Sequence, residues 1–262
     1  MMFSRPVSEY MTTRVATIGT DAVLALVARE LDHHRVSALP VVDGQGAILG
    51  VLSRTDLLKV GRVQAGSHRQ AAVLTLPEKS AGELVRINAR APLVISSTTT
   101  LRDAARTMCE HRVHRLFVVD DGKLTGVLST LELITAVSDA RVEAPISEIM
   151  STPVFSVKAQ QPISAAVERL EHARVAGLVV IDDGWPVGVF TQIEAMQARD
   201  LPRETRVDEV LDPSMLCLPV ETKIHRAAAQ ARRLEARRII ACRGRDVDGI
   251  VTGFDFAKLV AA

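Results

Sequence analysis

The chain is built on an internal repeat. Shifting the sequence by 77, 139 and 200 residues superimposes Leu24 on Leu101, Ile163 and Ile224. Each of these lies in an amphipathic pattern: TDAVLALVAREL, TTTLRDAARTMCEH, QQPISAAVERLEHA and TKIHRAAAQARRLEA. The shifts of 139 and 200 also superimpose VSEYM on ISEIM and VDEVL, which begin at residues 7, 146 and 207. Four copies of a unit of about 60 residues therefore fill the chain, at 1–60, 77–138, 139–199 and 200–262. A unit that small buries too little of its own sheet to stand alone, so the copies must pack on one another.

Each copy reads as a short strand (VATI, LVIS, VFSV, LCLP), the amphipathic helix, and a second strand (ALPVVD, RLFVVD, LVVID, RIIAC). A turn, a third strand and a final helix follow. The turn is Asp43-Gly44, Asp121-Gly122 and Asp183-Gly184 in three copies and Gly244-Arg245 in the fourth, all suited to tight hairpins. The first copy holds one more residue there, within DGQGAI. The fold class implied is mixed α/β. The longest connection, GRVQAGSHRQAAVLTLPEKSAGE, separates the first two copies, while EAPISEIM joins the halves almost without a linker.

Composition narrows the function. Apolar residues make up 47% of the chain, enough for a sizeable core, and the net charge is +1. Nucleic-acid binding needs a basic excess or a concentrated basic face, and ARRLEARR, residues 231–238, is the one local candidate. No nucleic-acid partner is expected. No apolar run approaches the roughly 18 residues of a spanning helix, and MMFSRPVSEYM lacks the apolar core of a secretion signal, so a soluble cytoplasmic chain without a membrane partner is expected. Cys109, Cys217 and Cys242 show no metal-ligand spacing and read as reduced thiols. No metal site is expected. Phosphate-loop, GxGxxG, HExxH and GxSxG patterns are all missing, and no nucleophile has a base beside it in any motif, so no catalytic residue is assigned and the chain is not expected to be an enzyme.

The third strands carry the chemistry. They end in GVLSRTD (50–56), GVLSTLE (126–132), GVFTQIE (188–194) and GIVTGFD (249–255). A hydroxyl at a strand mouth, from Ser53, Ser129, Thr191 or Thr252, can donate to a phosphate, and an acid one helical turn later can accept from ribose hydroxyls. The acids are Asp56 and Asp255, with the longer Glu132 and Glu194 in copies two and three. The opening glycine is expected to give backbone access to a ligand. Fifteen residues before Ser129 and Thr252 stand the basic pairs His114/Arg115 and Arg237/Arg238, where copies one and three have Ser37/Ala38 and Ala176/Gly177. An Arg fork can hold phosphate bidentately, and a His beside it ties affinity to pH.

This order of elements in four registered copies resembles the CBS domain family over almost the whole chain. RVSALPVVD and VHRLFVVD are similar to segments of the nucleotide-sensing γ subunit of AMP-activated protein kinase, and the layout resembles stand-alone prokaryotic proteins of four repeats. The resemblance implies two Bateman modules, each a pseudo-twofold pair of repeats, packed as a disc within one chain or by pairing of two. It implies AMP, ADP or ATP as ligand, with Mg2+ accompanying ATP and no cofactor required. The ribose would be held by Asp56, Asp255, Glu132 and Glu194. The phosphates would meet Ser53, Ser129, Thr191, Thr252, His114, Arg115, Arg237 and Arg238. The adenine would slot among Thr17, Ile18, Val36, Ser37, Val94, Ile95 and Val113 in the first module, and Ser156, Val157, Cys217 and Leu218 in the second.

Plainer roles stand beside these. A Ser or Thr three residues before an acid is also a capping box, which every final helix needs. His114/Arg115 also fits a solvated strand end, and ARRLEARR an exposed helical face. Two kinds of function remain open: a regulatory sensor of adenine nucleotides, read by an effector protein or by a homodimer, or an interaction scaffold with decayed sites. S-adenosylmethionine or a related adenosyl thioether is a further ligand within the binding class.

Overall fold

The structure, a computed structural model, describes residues 3–64, 73–88, 91–173 and 175–262. All four copies adopt the order strand, helix, strand, strand, helix. Copy one contains β1 (Ile18–Gly19), α1 (Leu24–His33), β2 (Ala38–Val42), β3 (Ile48–Ser53) and α2 (Arg54–Val60). The connection after it holds β4 (Arg62–Gln64), antiparallel to β5 (Val73–Thr75), and then α3 (Ala81–Asn88). Residues 65–72 of that connection, His68 among them, lie outside the described residues. Copy two contains β6 (Val94–Ile95), α4 (Leu101–His111), β7 (Arg115–Asp120), β8 (Lys123–Ser129) and α5 (Thr130–Asp139). Copy three contains β9 (Ser156–Lys158), α6 (Ile163–Ala173), β10 (Gly177–Asp182), β11 (Trp185–Thr191) and α7 (Gln192–Gln197). Copy four contains β12 (Leu216–Pro219), α8 (Ile224–Arg233), β13 (Arg238–Arg243), β14 (Asp246–Thr252) and α9 (Gly253–Ala261).

Every copy forms a three-stranded sheet with its second strand in the centre. In copies one, three and four the central strand runs parallel to the first strand and antiparallel to the third. A parallel crossover through a helix followed by a hairpin is what the turn dipeptides demand. Asp121 and Gly122, and Asp183 and Gly184, take positive φ at both positions, the geometry of a primed two-residue turn. The extra residue of copy one is absorbed by Gly46, at φ 84. The first strands are shorter than expected: of VATI only Ile18 is in β1, and of LVIS only Val94 and Ile95 form β6, because only these residues pair in register with the central strand, although Leu93 O still accepts from Phe117 N at 3.0 Å. After the first helix the chain turns through a left-handed residue at the same repeat position in three copies, Arg35, Arg112 and Glu235, each with φ near 52.

Two compact units result, and they do not follow the copy boundaries. One comprises residues 12–97 and 116–127. Its core gathers Leu24, Val27 and Leu31 of α1, Leu39 and Val41 of β2, and Leu52 of β3, with Leu84 of α3. Here α3 does the work of the VSEYM-type segment, for which copy two shows no sequence match. Its leading Ser80 bridges Val23 at the start of α1, and its Val85 packs on Gly50.

The other unit comprises residues 1–11, 98–115 and 128–262. Within it α4 packs on α9, α5 on α8, and α5 on α9, so the helices of copies two and four meet. Copies three and four exchange their leading segments. Ser151, after ISEIM, bridges Ile250 of β14, and Asp212, after VDEVL, bridges Val189 of β11. The glycines that open the third-strand motifs serve this exchange. A Cβ on Gly188 would lie 2.8 Å from the Asp212 carbonyl oxygen, and one on Gly249 would lie 2.5 Å from Met150 Sδ. At Gly188 and Gly249 the room goes to the partner copy, where backbone open to a ligand was expected.

Candidate functional site

The hydroxyl and acid of each copy meet at the junction of third strand and final helix. Ser53 caps α2: its Oγ accepts from Asp56 N at 3.2 Å, while Asp56 Oδ2 accepts from Ser53 N at 2.9 Å and from Ser53 Oγ at 2.5 Å. Ser129 N and Oγ donate to Glu132 Oε2 at 2.7 and 2.5 Å. Thr191 N donates to Glu194 Oε2 at 2.8 Å, and Thr191 Oγ1 donates to the same oxygen. Thr252 N and Oγ1 both donate to Asp255 Oδ2 at 2.8 Å. All four are capping boxes, so the plainer local role of the pattern is realised, and Glu caps as well as Asp because its extra methylene still lets it fold back.

Strand register brings the second-strand openings to these boxes. Ala38 lies opposite Ser53, Gly177 opposite Thr191 and Arg238 opposite Thr252. The first residue of the final helix donates back to the same place, Arg54 N to Ser37 O and Thr130 N to His114 O, both at 3.0 Å. A Cβ on Gly177 would sit 3.0 Å from Thr191 Cγ2, so that position favours a small residue. Arg237 and Arg238 are not on a helical face. The helix α8 ends at Arg233, Glu235 turns the chain at φ 53, and Arg238 opens β13, as Arg115 opens β7.

The two basic pairs come together. The His114 ring lies 4.2 Å from that of Phe254, at the start of α9, and a Cβ on Gly253 would come within 2.5 Å of Thr130 Oγ1, so the starts of α5 and α9 touch. Although His114 is exposed, the protein crowding its ring lowers its pKa below the ordinary imidazole value, and Arg115, Arg237 and Arg238 lower it further. Burial likewise disfavours the charge on Arg115, as does Arg237, while Glu132 favours it. For Arg238, burial again lowers the pKa and Glu194 and Asp212 oppose the shift, Asp212 at 3.8 Å. Arg238 of copy four thus approaches the acid of copy three, whose own second strand opens with small residues. Glu194 and Thr191 are only 8% and 4% exposed.

Copy four has an open cleft of about 420 Å³, lined by Cys109, Arg112, Ser151, Thr252, Phe254, Asp255 and Lys258. Asp255 is 3% exposed and uses both oxygens: beyond its cap, Oδ1 accepts from Ser151 Oγ at 2.8 Å and from Lys258 Nζ at 3.2 Å. Ser151, Lys258 and Arg112 were not singled out from the sequence. A hydroxyl following VSEYM and ISEIM, Thr12 and Ser151, was the available signal.

The residues expected around adenine divide by strand alternation. Ile18, Val157 and Leu218 are buried, Ile18 and Val157 in the cores of their copies. Their neighbours Ser156 and Cys217 point to the opposite face of their strands, and Thr17, just ahead of β1, is exposed. Ser156 lines a separate cleft of about 170 Å³ with the hairpin residues Gly184, Arg245 and Asp246, away from the boxes. Val94 is exposed, while Val36, Ser37, Ile95 and Val113 are half-buried. Among the described residues no group of three or more His, Cys, Asp or Glu is placed to hold a metal ion, and no helix is long and apolar enough to cross a membrane.

The chain is similar to known proteins over this whole architecture. It resembles protein MJ1225 from Methanocaldococcus jannaschii with a TM-score of 0.72 at 14% identity, covering 97% of this chain and 99% of that one. An uncharacterised conserved protein from Pyrococcus horikoshii gives a TM-score of 0.66 at 22% identity, covering 98% of this chain and 100% of that one. At the sequence level the chain is 32% identical over 127 residues to the CBS domain-containing protein YhcV of Bacillus subtilis, which is 48% of this chain and 81% of that protein. It is 30% identical over 150 residues to the chloroplastic CBS domain-containing protein CBSX2 of Arabidopsis thaliana, 51% of this chain and only 61% of that protein. The CBS domain model matches residues 7–62, 83–139 and 146–200, and copy four repeats the same strand order beyond the last match. With more than half of its residues matched and every copy built alike, the chain belongs to the CBS domain family.

Proposed function

We propose that the protein is a regulatory sensor of adenine nucleotides, with no chemistry of its own, that binds AMP, ADP or ATP at the hydroxyl-acid junctions. The observation that carries this reading is the meeting of His114 and Arg115 with Arg237 and Arg238 beside those junctions. Desolvation and then the cations packed beside it lower the proton affinity of His114, and a phosphate would relieve the crowding of charge. The boxes hold hydroxyls and carboxylates where a ribose would extend from such a phosphate. ATP would bring Mg2+ with it, and an effector protein or a second copy of the chain would read the bound state.

Calorimetric titration with AMP, ADP, ATP, adenosine and S-adenosylmethionine tests it, with the His114→Ala/Arg115→Ala variant alongside. The phosphorylated ligands should bind, and the variant should lose at least about tenfold for AMP while adenosine changes little, since only phosphate loses charge-assisted bonds. A strict preference for S-adenosylmethionine would redirect the ligand class. The second reading, an interaction scaffold, is favoured by the fact that the capping boxes account for all four acids without any ligand. It predicts no nucleotide-dependent rise in melting temperature.

A further inference from the structure

Two of the three thiols lie together, far in the sequence from one another. Cys217 is on β12 and Cys242 on β13, adjacent parallel strands in which Cys217 pairs with Ile240 and Pro219 with Cys242. The two cysteines are therefore diagonal neighbours on one face of the sheet. That face packs against copy three, in a cluster with Val179, Ile181, Val154, Ile240 and Ile250. Cys242 is 5% exposed, and its Sγ makes only a long contact to Ile240 O at 3.8 Å. Burial, together with the neighbouring Cys217, pushes the Cys242 thiol up to about 11.

We propose that Cys217 and Cys242 form a two-coordinate site for a soft divalent d10 metal ion, with Hg2+ as the probe. Three features of the pair decide the class of ligand. Soft thiolate sulfur selects soft metals over hard ones. Among the described residues no third His, Cys, Asp or Glu completes a metal-binding group, which disfavours Zn2+, whose structural sites are four-coordinate. Diagonal neighbours on paired strands have Cα atoms on the order of 7–8 Å apart, beyond the usual disulfide span of about 4.4–6.8 Å, whereas a linear sulfur–metal–sulfur bridge reaches further. The step is balanced without an oxidant: Hg2+ displaces one proton from each thiol and leaves a neutral bis-thiolate. Neutrality suits an apolar cluster, and a monovalent ion such as Cu+ would leave a buried negative charge.

The test uses the full chain carrying Cys109→Ser, so that only this pair remains, with no nucleotide present. Failure here is thus separable from failure of the nucleotide reading. Hg2+ is titrated against excess glutathione while the thiolate charge-transfer absorbance and proton release are followed. The expected result is one ion per chain with two protons released, retained against the monothiol because both ligands sit on one scaffold. Adding Cys217→Ser or Cys242→Ser should abolish that retention, and Zn2+ should not compete. Cys242→Ala, with an unchanged melting temperature, guards against loss through misfolding. Two ions per chain, retention in either single-thiol variant, or a disulfide formed readily between the pair with diamide would overturn the assignment.

Discussion

Copies one and four end their third strands in the same pattern, and both fold it into a capping box, yet the two carboxylates live in different surroundings. Asp56 is half-buried, faces a strand that opens with Ser37 and Ala38, and engages its cap through Oδ2. Asp255 is almost fully buried, lies beside the strand that Arg238 opens just after Arg237, and accepts from Ser151 and Lys258 at Oδ1. The shared pattern specifies the helix cap. What each box can do further depends on what the neighbouring copy brings to it, since Ser151 belongs to the segment leading copy three.

The contrast breaks most sharply if copy four is made to look like copy one. Arg237→Ser with Arg238→Ala installs the residues that copy one has at these places. Two charge-assisted contacts at about 1.5–3 kcal/mol each are at stake, so AMP affinity at copy four should fall at least tenfold, while adenosine is unaffected. Titration at two salt concentrations checks the electrostatic origin, because the wild-type protein should weaken with salt and the variant much less.

Stability separates the two acids next. Asp255→Ala removes a buried carboxylate that serves the half-buried Ser151 hydroxyl and Lys258 as well as its cap, at a cost of about 2 kcal/mol. Asp56→Ala removes a cap only, at about 1 kcal/mol. Chemical denaturation of both variants should show the larger loss for Asp255, and equal losses would erase the distinction drawn from burial. For ligand affinity the order reverses if Asp56 is the ribose acceptor: Asp56→Ala should then weaken AMP binding by about 1.5–3 kcal/mol.

The glycines sharpen the same point about neighbouring copies. Gly188→Ala would press on the Asp212 backbone, whereas Gly249→Ala meets the flexible end of Met150. Overpacking costs about 1–3 kcal/mol, and Gly188 should fall at the upper end and Gly249 at the lower. Denaturation midpoints of the two variants decide it.

The smallest effect is a pH dependence. The folded pKa of His114 is lowered, so the unfolded chain takes up its proton first as pH falls. The stability tied to this residue is therefore full above the ordinary His value of about 6.5 and is lost as pH falls from there through the lowered folded value. A bound phosphate opposes this by favouring imidazolium. The ratio of AMP affinities between the wild-type protein and His114→Gln should rise as pH drops below about 6.5, and taking the ratio cancels the titration of the AMP phosphate itself. A ratio that stays flat would remove His114 from the phosphate.

Much of the fold was legible because the repeat reports itself four times. The offsets placed every main helix, the dipeptides Asp121-Gly122 and Asp183-Gly184 placed their hairpins, and the apolar stripes gave the cores. What escaped notice lacked a repeating signal. AGELVRIN replaces the VSEYM-type segment in copy two without resembling it, and Arg237 sat in a run of charge that reads equally well as a helix face. The hydroxyl-acid pairs were visible as residues, but one spacing serves both a cap and a ribose.

Sequence alone determined the local elements, since hydrophobic period, turn chemistry and caps act over a few residues. It determined as well that the copies must pack together, because each is too small to bury its own sheet. Which copies share a unit was decided by tertiary structure: α4 and α5 of copy two pack with α8 and α9 of copy four, a pairing that no local pattern encodes. The same is true of the basic cluster. His114 and Arg237 are 123 residues apart in the chain, and they meet because the starts of α5 and α9 touch where Gly253 leaves room for Thr130.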